Sequence, residues 1–196
     1  MPKVKQRTVA LRERGLASAL AVLTEQGPAA LTTRTVAQRA EASLPAIYEV
    51  FGDKAGLIRE VFFHGFQTLG DELEALPTTQ DPLADLRDLA EAFRHFVITN
   101  PVLAEVMFSR PFADFDPTAQ DNEAGTRVSG LFIKRAAAAT DAGLLRGKPI
   151  DIAHVLFAFV QGLAAAENAH RIGQSQADID RRWALGIDAL LTGLAG

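Results

Sequence analysis

Apolar residues recur at every third or fourth position along almost the whole chain, and almost nowhere at every second position. That spacing lines one face of an α-helix and cannot line one face of a strand, so the chain is expected to be all-α. Residues that start and stop helices punctuate the pattern. Gly27-Pro28 ends a first helix of about Lys5 to Gln26, with Val9, Leu16, Leu20 and Leu23 on one face. Asp81-Pro82 and Asn100-Pro101 each set a capping side chain before a proline at the first helical position. They start a fifth helix, ending near Thr99, and a short sixth. Before them, a fourth helix runs from about Lys54 to Ala75, with Ile58, Val61, Phe62, Leu69, Leu73 and Leu76 in register and Pro77 closing it. "SRPFADFDPTAQD" reads as a loop. A seventh helix spans about Glu123 to Ala142, and the last two about Asp151–Arg171 and Ala177–Leu194, for about nine helices in all.

At 196 residues and 48% hydrophobic content, the chain can bury a substantial core. It has no cysteine, which excludes disulfides and thiolate metal sites and suits a reducing cytosol. The N-terminus "MPKVKQRTVALRERG" lacks the apolar stretch of a signal peptide. The longest apolar run, "IAHVLFAFVQGLAAA", falls short of the roughly 20 residues a membrane helix needs. A cytoplasmic location without a membrane partner is expected. The net charge of −4 is unevenly spread: residues 1–60 hold nine Lys/Arg against six Asp/Glu, residues 61–196 eleven against eighteen. A basic head on an acidic body points to two jobs, with the head meeting something anionic.

Residues 32–54 carry the most specific pattern. Thr32 or Thr33 caps a short second helix through Ala40, with Val36, Ala37 and Ala40 inward. Glu41-Ala42 makes a tight turn. Ser43 then caps a third helix, "LPAIYEVF", with Pro45 tolerated in its first turn and Ile47, Val50 and Phe51 on one face. Gly52-Asp53 ends that helix and caps the next. Two short helices around a tight turn, braced by a longer helix, form a helix-turn-helix. A helix enters the DNA major groove only if held from behind and exposed in front. Thr33, Arg34, Ser43, Leu44, Pro45, Ala46, Tyr48 and Glu49 are left facing outward. Lys54 stands at the next helix start, where its ammonium and the helix N-terminus both suit a phosphate oxygen.

The stretch "LTTRTVAQRAEASLPAIYEVFGDKAGLI" resembles the DNA-binding segment of the TetR family of bacterial transcriptional regulators. Leu31, Thr32, Val36, Ala37, Ala40, Ser43, Ile47, Tyr48, Phe51, Lys54 and Leu57 match that family's spaced pattern. The resemblance implies a DNA-binding domain over residues 1–53 and an effector-binding and dimerisation domain over residues 54–196. It implies that Tyr48 and Thr33 meet phosphates, that Lys54 clamps nearby, and that Ser43 to Ala46 and Glu49 face base edges. The basic arm of Lys3, Lys5 and Arg7 can add backbone or minor-groove contacts. One residue departs from the pattern. The family usually has glycine in the turn where this chain has Glu41, and a left-handed backbone there costs about 1–2 kcal/mol.

The resemblance extends less specifically into the body. "FAFVQGLAAAENAHRIG" and "RRWALGIDALLTGL" are similar to the two C-terminal helices of one TetR subgroup, which pair with a partner's copy as a four-helix bundle. Gly162, Ala165 and Ala166 permit close approach of such helices. A homodimer on a pseudo-palindromic operator follows. Eleven of the twelve phenylalanines lie at or beyond residue 62. The resemblance puts an effector pocket inside the body, with Phe66, Phe93, Phe96, Met107, Phe108, Phe112, Phe132, Phe157 and Gln161 as candidate lining. They imply a small apolar or aromatic effector, acting through the stretch Gly56 to Phe66. The expected function is a DNA-binding repressor released by that effector.

Two other classes stand beside this one. An all-α enzyme would need a catalytic motif, and the chain has no GxSxG, Walker loop or GxGxxG. An effector-free structural DNA-binding protein would share the head but not a hollow body. His64, His95, His154 and His170 are scattered without metal-ligand spacing, so no metal and no cofactor are expected. Glu167 is left open between a pocket and a dimer interface.

Overall fold

The computed structural model describes residues 2–109, 112, 115 and 118–196, with the side chains of all these except residues 2–7, 120 and 122. The side chains of the basic arm of Lys3, Lys5 and Arg7, and six residues of the 109–121 stretch, lie outside what it describes. The fold is all-α. Its elements are α1 Pro2–Gln26, α2 Thr33–Arg39, α3 Leu44–Phe51, α4 Lys54–Glu74, α5 Pro82–Thr99, α6 Pro101–Ala104, α7 Ala119–Asn122, α8 Thr126–Asp141, α9 Pro149–Asn168 and α10 Gln176–Gly193. A π-helical turn, Glu105–Ser109, continues α6. Counting that pair as one helix, and setting aside the single turn of α7, leaves the nine anticipated among the described residues. No strand ladder occurs among them. Leu145 and Ala195 form one isolated antiparallel bridge.

Local chemistry explains most boundaries. Asp81 accepts from the N–H groups of Leu83 and Ala84, both at 3.0 Å, and Pro82 opens α5 without losing a hydrogen bond. The stretch read as a loop runs into α7, and the first residues of the helix expected from Glu123 form a 3₁₀ turn, Glu123–Gly125, so α8 begins at Thr126. Thr118 takes the role of a cap there: its N–H donates to Asp121 at 2.9 Å, and Asp121 N–H donates to its hydroxyl at 3.2 Å.

The chain forms two compact units that do not follow chain order: Met1–Phe66 with Val102–Ala124, and Gln67–Pro101 with Gly125–Gly196. In the first, α1, α2 and α3 pack on one another. The α1 face differs from the one read in the sequence. Val9 is 51% exposed and Leu16 and Leu20 are half-buried, while Ala19, Val22 and Leu23 are buried. Apolar residues surround this helix, and the position of α2 and α3 selects the stripe. Gly15 belongs to it because a Cβ there would lie 2.5 Å from the Phe51 ring. Further along, Phe62 packs against Phe66 and Phe115, with ring centroids 4.9 and 5.7 Å apart.

In the second unit, α5, α8 and α9 pack together and α10 lies on α9. Leu86, Leu89, Phe93, Phe96, Phe132, Leu156 and Val160 are buried there, each such side chain contributing about 1.5–3 kcal/mol. α9 corrects the reading of its apolar run. The helix extends to 20 residues with a mean hydropathy of 1.5, and by length and composition is apolar enough to cross a membrane. Its ends take in the polar residues that flank the apolar run Ile152–Ala166. Packing on α5 and α8 accounts for its inner side, where Ile152, Ala153, Leu156, Val160 and Ala164 are buried.

A buried carboxylate ties each unit together. In the second, Arg135 reaches Asp85 at 2.8 Å and the carbonyls of Leu76 and Pro77 at 3.1 and 2.9 Å. Burial raises the Asp85 pKa, but hydrogen bonds from Thr79 and the Arg135 guanidinium outweigh it and hold the carboxyl below its usual range. In the first, the Asp121 carboxyl is lowered foremost by its hydrogen bond from Arg59, against an opposing effect of burial. Because both folded pKa values lie below the unfolded ones, both contributions are complete above the unfolded value of about 4 and are lost as pH falls through the lowered folded values. The melting temperature is expected to fall on acidification below about pH 4, and Asp121→Asn to flatten that acid limb. A thermal melt at stepped pH checks this, and an unchanged limb in the variant would contradict the assignment.

Candidate DNA-binding face

The face is built on a capping arrangement. Thr32, not Thr33, caps α2: Thr35 N–H donates to the Thr32 hydroxyl at 3.0 Å and Thr32 N–H donates to the Thr35 hydroxyl at 3.2 Å. The Thr35 hydroxyl donates on to the Ala30 carbonyl at 2.7 Å, fixing α2 to the turn before it. Thr33 is thereby released to the outer surface of the first turn.

α2 ends in a Schellman turn. Ala42 N–H donates to the Ala37 carbonyl at 3.0 Å and Glu41 N–H to the Gln38 carbonyl at 3.3 Å. This closure needs a left-handed residue, and Glu41 supplies it at φ 50°. Glu41→Gly is expected to relieve about 1–2 kcal/mol of backbone cost, offset in part by about 0.4–1 kcal/mol of added unfolded-chain entropy. The net is a melting temperature raised by a few degrees. A lowered melting temperature would show that the Glu41 side chain is itself needed.

Ser43 then caps α3, accepting from Ala46 N–H at 3.3 Å. Ile47 and Phe51 are buried and Val50 is half-buried, so α3 is held by a narrow edge. Its opposite edge is free. Tyr48 is 50% exposed, and its hydroxyl lies 3.4 Å from the Thr33 hydroxyl. Two short helices thus bring two hydroxyls together, fifteen residues apart in sequence. Ser43, Pro45 and Glu49 are exposed, and Leu44 and Ala46 half-buried, along the same helix.

The cations divide into two sets. Arg39 makes a two-pronged ion pair with Glu25 at 2.7 and 2.5 Å, and Arg12 pairs with Glu60 at 3.0 Å. Arg34 is exposed and makes no ion pair among the described residues. Lys54 is the first residue of α4, whose first turn is capped by Asp53 accepting from Gly56 N–H at 2.9 Å. The Lys54 ammonium lies 5.7 Å from the centre of the Phe112 ring.

Residues 16–61 match the bacterial regulatory proteins of the tetR family, and residues 86–190 match the tetracyclin repressor-like C-terminal domain. The chain belongs to the TetR family. It is therefore a helix-turn-helix DNA-binding transcription regulator. No curated protein matches it. Among solved structures, a protein of unknown function from Rhodococcus sp. RHA1 is 26% identical, covers 95% of this chain and 96% of its own, and superposes with a TM-score of 0.83. The TetR-family regulator PfmR from Thermus thermophilus is 19% identical over 93% of this chain and 100% of its own, with a TM-score of 0.70. A TetR variant from Acinetobacter baumannii AYE, in complex with minocycline, is 22% identical over 91% of this chain and 93% of its own, with a TM-score of 0.63.

The nine candidate pocket residues of this TetR-family chain divide between the two units. Phe66, Met107, Phe108 and Phe112 belong to the first, where Phe66 and Phe108 meet edge-on at 5.7 Å. Phe93, Phe132 and Phe157 form a triangle in the second, with ring centroids 5.3–6.3 Å apart, and Phe96 is fully buried. Gln161 is half-buried. The void against Phe132 and Phe157, lined also by Ser129, Ile133, Ala153 and His154, measures about 20 Å³, room for one water molecule. A larger open groove of about 460 Å³ lies between α5 and α10, lined by Arg87, Glu91, Arg94, Asp180, Trp183 and Ile187 among others, and none of the nine candidates lines it.

Sequence reasoning missed the charged cluster under that groove. Arg94 donates to both Glu167 oxygens at 2.9 Å and to Asp180 at 2.7 Å, and lies 5.1 Å over the Trp183 ring. Burial pulls the Arg94 pKa down, but its hydrogen bonds to Glu167 and Asp180 and the charges of its acidic neighbours prevail and raise it. Glu167, left open from the sequence, is buried in this ion pair. Partners 73 residues apart leave no local signal.

Proposed function

We propose that this TetR-family chain acts in the cytoplasm as a homodimeric repressor, released from a pseudo-palindromic operator by a small apolar or aromatic effector. The observation that carries the DNA half is the exposed hydroxyl pair of Thr33 and Tyr48 on helices braced from behind, with Lys54 at the N-terminus of the next helix. Residues 1–53 form the DNA-binding domain and residues 54–196 the effector-binding and dimerisation domain. Thr33, Tyr48 and Lys54 take phosphates, with Arg34 beside them. Ser43, Leu44, Pro45, Ala46 and Glu49 read base edges, Glu49 by accepting from a cytosine amino group and the small apolar residues by touching thymine methyls.

The dimer reading is supported by the outer faces of α9 and α10. Val155 is 50% and Leu185 68% exposed, and Gly162, Ala165 and Ala189 are exposed beside them. A Cβ on Gly162 would meet nothing within 4 Å, which leaves room for a second helix. The effector reading is supported by the aromatic clusters at Phe66/Phe108 and Phe93/Phe132/Phe157, with Phe96, Met107, Phe112 and Gln161 as further lining. The effector acts by favouring a state in which α4, from Gly56 to Phe66, carries the recognition helices off groove spacing. A coupling of about 1–3 kcal/mol weakens operator binding about 5- to 150-fold.

Selection from random duplex DNA tests the reading, with a two-fold symmetric motif as the expected outcome. Retention that enriches no motif and vanishes at moderate salt would leave only electrostatic binding. On the recovered duplex, Tyr48→Ala and Lys54→Ala are each expected to weaken binding about tenfold irrespective of sequence. Lys54→Ala should also lower the salt slope by about one. Unchanged affinity and slope in both would remove this face from consideration.

A further inference from the structure

We propose that the groove between α5 and α10 binds an amphiphilic organic cation, its apolar part lying along Trp183 and Ile187 and its ammonium held beside Asp88 and Glu91. The site shares no residue with the aromatic clusters or with the DNA face. Each helix contributes one stripe. Arg87, Glu91 and Arg94 recur at helical spacing on α5, and Asp180, Trp183, Ala184, Ile187 and Asp188 do so on α10. Two ion pairs cross from one stripe to the other. Arg87 reaches Asp188 at 3.0 Å, and further along α5 Arg94 reaches Asp180 at 2.7 Å. The helix from Arg87 to Arg94 spans about 10 Å, the length of a short apolar chain. Between the two pairs, Ala90, Trp183 and Ile187 make an apolar wall, each at most 7% exposed. A volume of about 460 Å³ suits a small organic molecule.

The charges give the sign of that molecule. Asp88, Glu91, Asp180 and Asp188 line the groove with Arg87 and Arg94, and Glu167 is hydrogen-bonded to both Arg94 and the Trp183 indole. Five carboxylates thus stand against two guanidinium groups. Arg94 is committed to Glu167 and Asp180, and Arg87 to Asp188, so neither is left to hold an anion. The carboxylates are less committed. Asp88 is exposed and makes no ion pair among the described residues, and Glu91 is 65% exposed with Arg94 no closer than 3.5 Å. They lie three residues apart on α5, so both can face one ammonium. A cleft with an excess of one charge and an apolar wall concentrates ions of the opposite sign. The wall then adds affinity for an apolar tail and selects against small inorganic cations.

Trp183 is the only tryptophan, so its fluorescence reports occupancy. Three probes share an octyl chain and differ in the charge of the head: octylammonium, octan-1-ol and octanoate. In about 0.1 M salt, octylammonium is expected to shift the emission saturably and to bind about tenfold more tightly than octanoate, with octan-1-ol between them. Asp88→Asn with Glu91→Gln should weaken octylammonium about three- to tenfold and leave octan-1-ol unchanged. Ala184→Phe, which fills the groove between the two ion pairs, should abolish binding of both. Equal affinity for the three heads, tighter binding of octanoate, or no saturable shift from any probe would overturn the proposal. So would octylammonium binding that survives both sets of substitutions. If the unaltered protein binds no octylammonium and Ala184→Phe weakens its self-association, the groove belongs instead to a contact between two copies of the chain. Sedimentation and a thermal melt accompany each variant, and Ala184→Leu replaces the phenylalanine variant if the latter does not fold.

Discussion

Glu167→Ala is expected to destabilise the protein by about 3–5 kcal/mol, because it leaves a buried guanidinium without its principal partner. Arg94 and Glu167 are both buried, and their two parallel hydrogen bonds of 2.9 Å are the strongest geometry available to such a pair. The Trp183 indole N–H also donates to Glu167, at 2.6 Å, and would lose its acceptor. Asp180 remains within 2.7 Å of Arg94 but is itself half exposed, so it replaces only part of the lost charge. The melting temperature is expected to fall by about 10 °C for a chain of this length. Trp183 is the only tryptophan, so its fluorescence follows the melt from inside the affected cluster. Glu167→Gln keeps the shape and one acceptor and should cost less. A melt of Glu167→Ala within two degrees or so of the unaltered protein would mean the pair contributes no net stability, as some buried pairs do not.

Gly56→Ala is expected to reverse the usual sign of a glycine-to-alanine change in a helix. Alanine ordinarily stabilises a helix interior by about 1 kcal/mol. Here a Cβ would run into the Phe51 carbonyl oxygen at the end of α3. The Phe51 carbonyl is backbone and a Cβ is fixed to its own backbone, so no side chain can swing away, and the joint between α3 and α4 must open. Overpacking of this kind costs about 1–3 kcal/mol or more. Tyr48 lies just before that joint and Lys54 just after it, so DNA affinity should fall together with the melting temperature. Gly65 offers the contrast. A Cβ there would lie 2.5 Å from the Met107 sulfur, the flexible end of a side chain, and Gly65→Ala should be far milder. A Gly56→Ala protein that melts higher and binds DNA normally would show that the α3–α4 joint has slack.

Much of this fold is local chemistry and was legible as such. Asp81, Asn100 and Ser43 cap or precede helices where they were expected to, and Asp53 caps α4. The departure at Glu41 was legible too, since a Schellman closure requires φ near +50° whatever residue occupies it. Three things were not. The buried stripe of α1 passes through Gly15, Ala19 and Leu23 rather than Val9, because apolar residues on several sides leave the choice to the partner helices. Phe112 and Phe115 read as loop residues, yet they are buried, with their rings beside Lys54, Arg59 and Phe62. Arg94 and Glu167 carry no mark of each other.

The sequence by itself determined the helices, their caps, the helix-turn-helix pattern and the outward set around Tyr48, because capping, helical period and turn closure act over three to five residues. Only the tertiary structure decided which α1 face is buried, what Phe112 rests against, and that Glu167 neutralises Arg94. Those contacts join residues tens of positions apart, and burial raises the strength of each charge interaction only once the surrounding chain has excluded water.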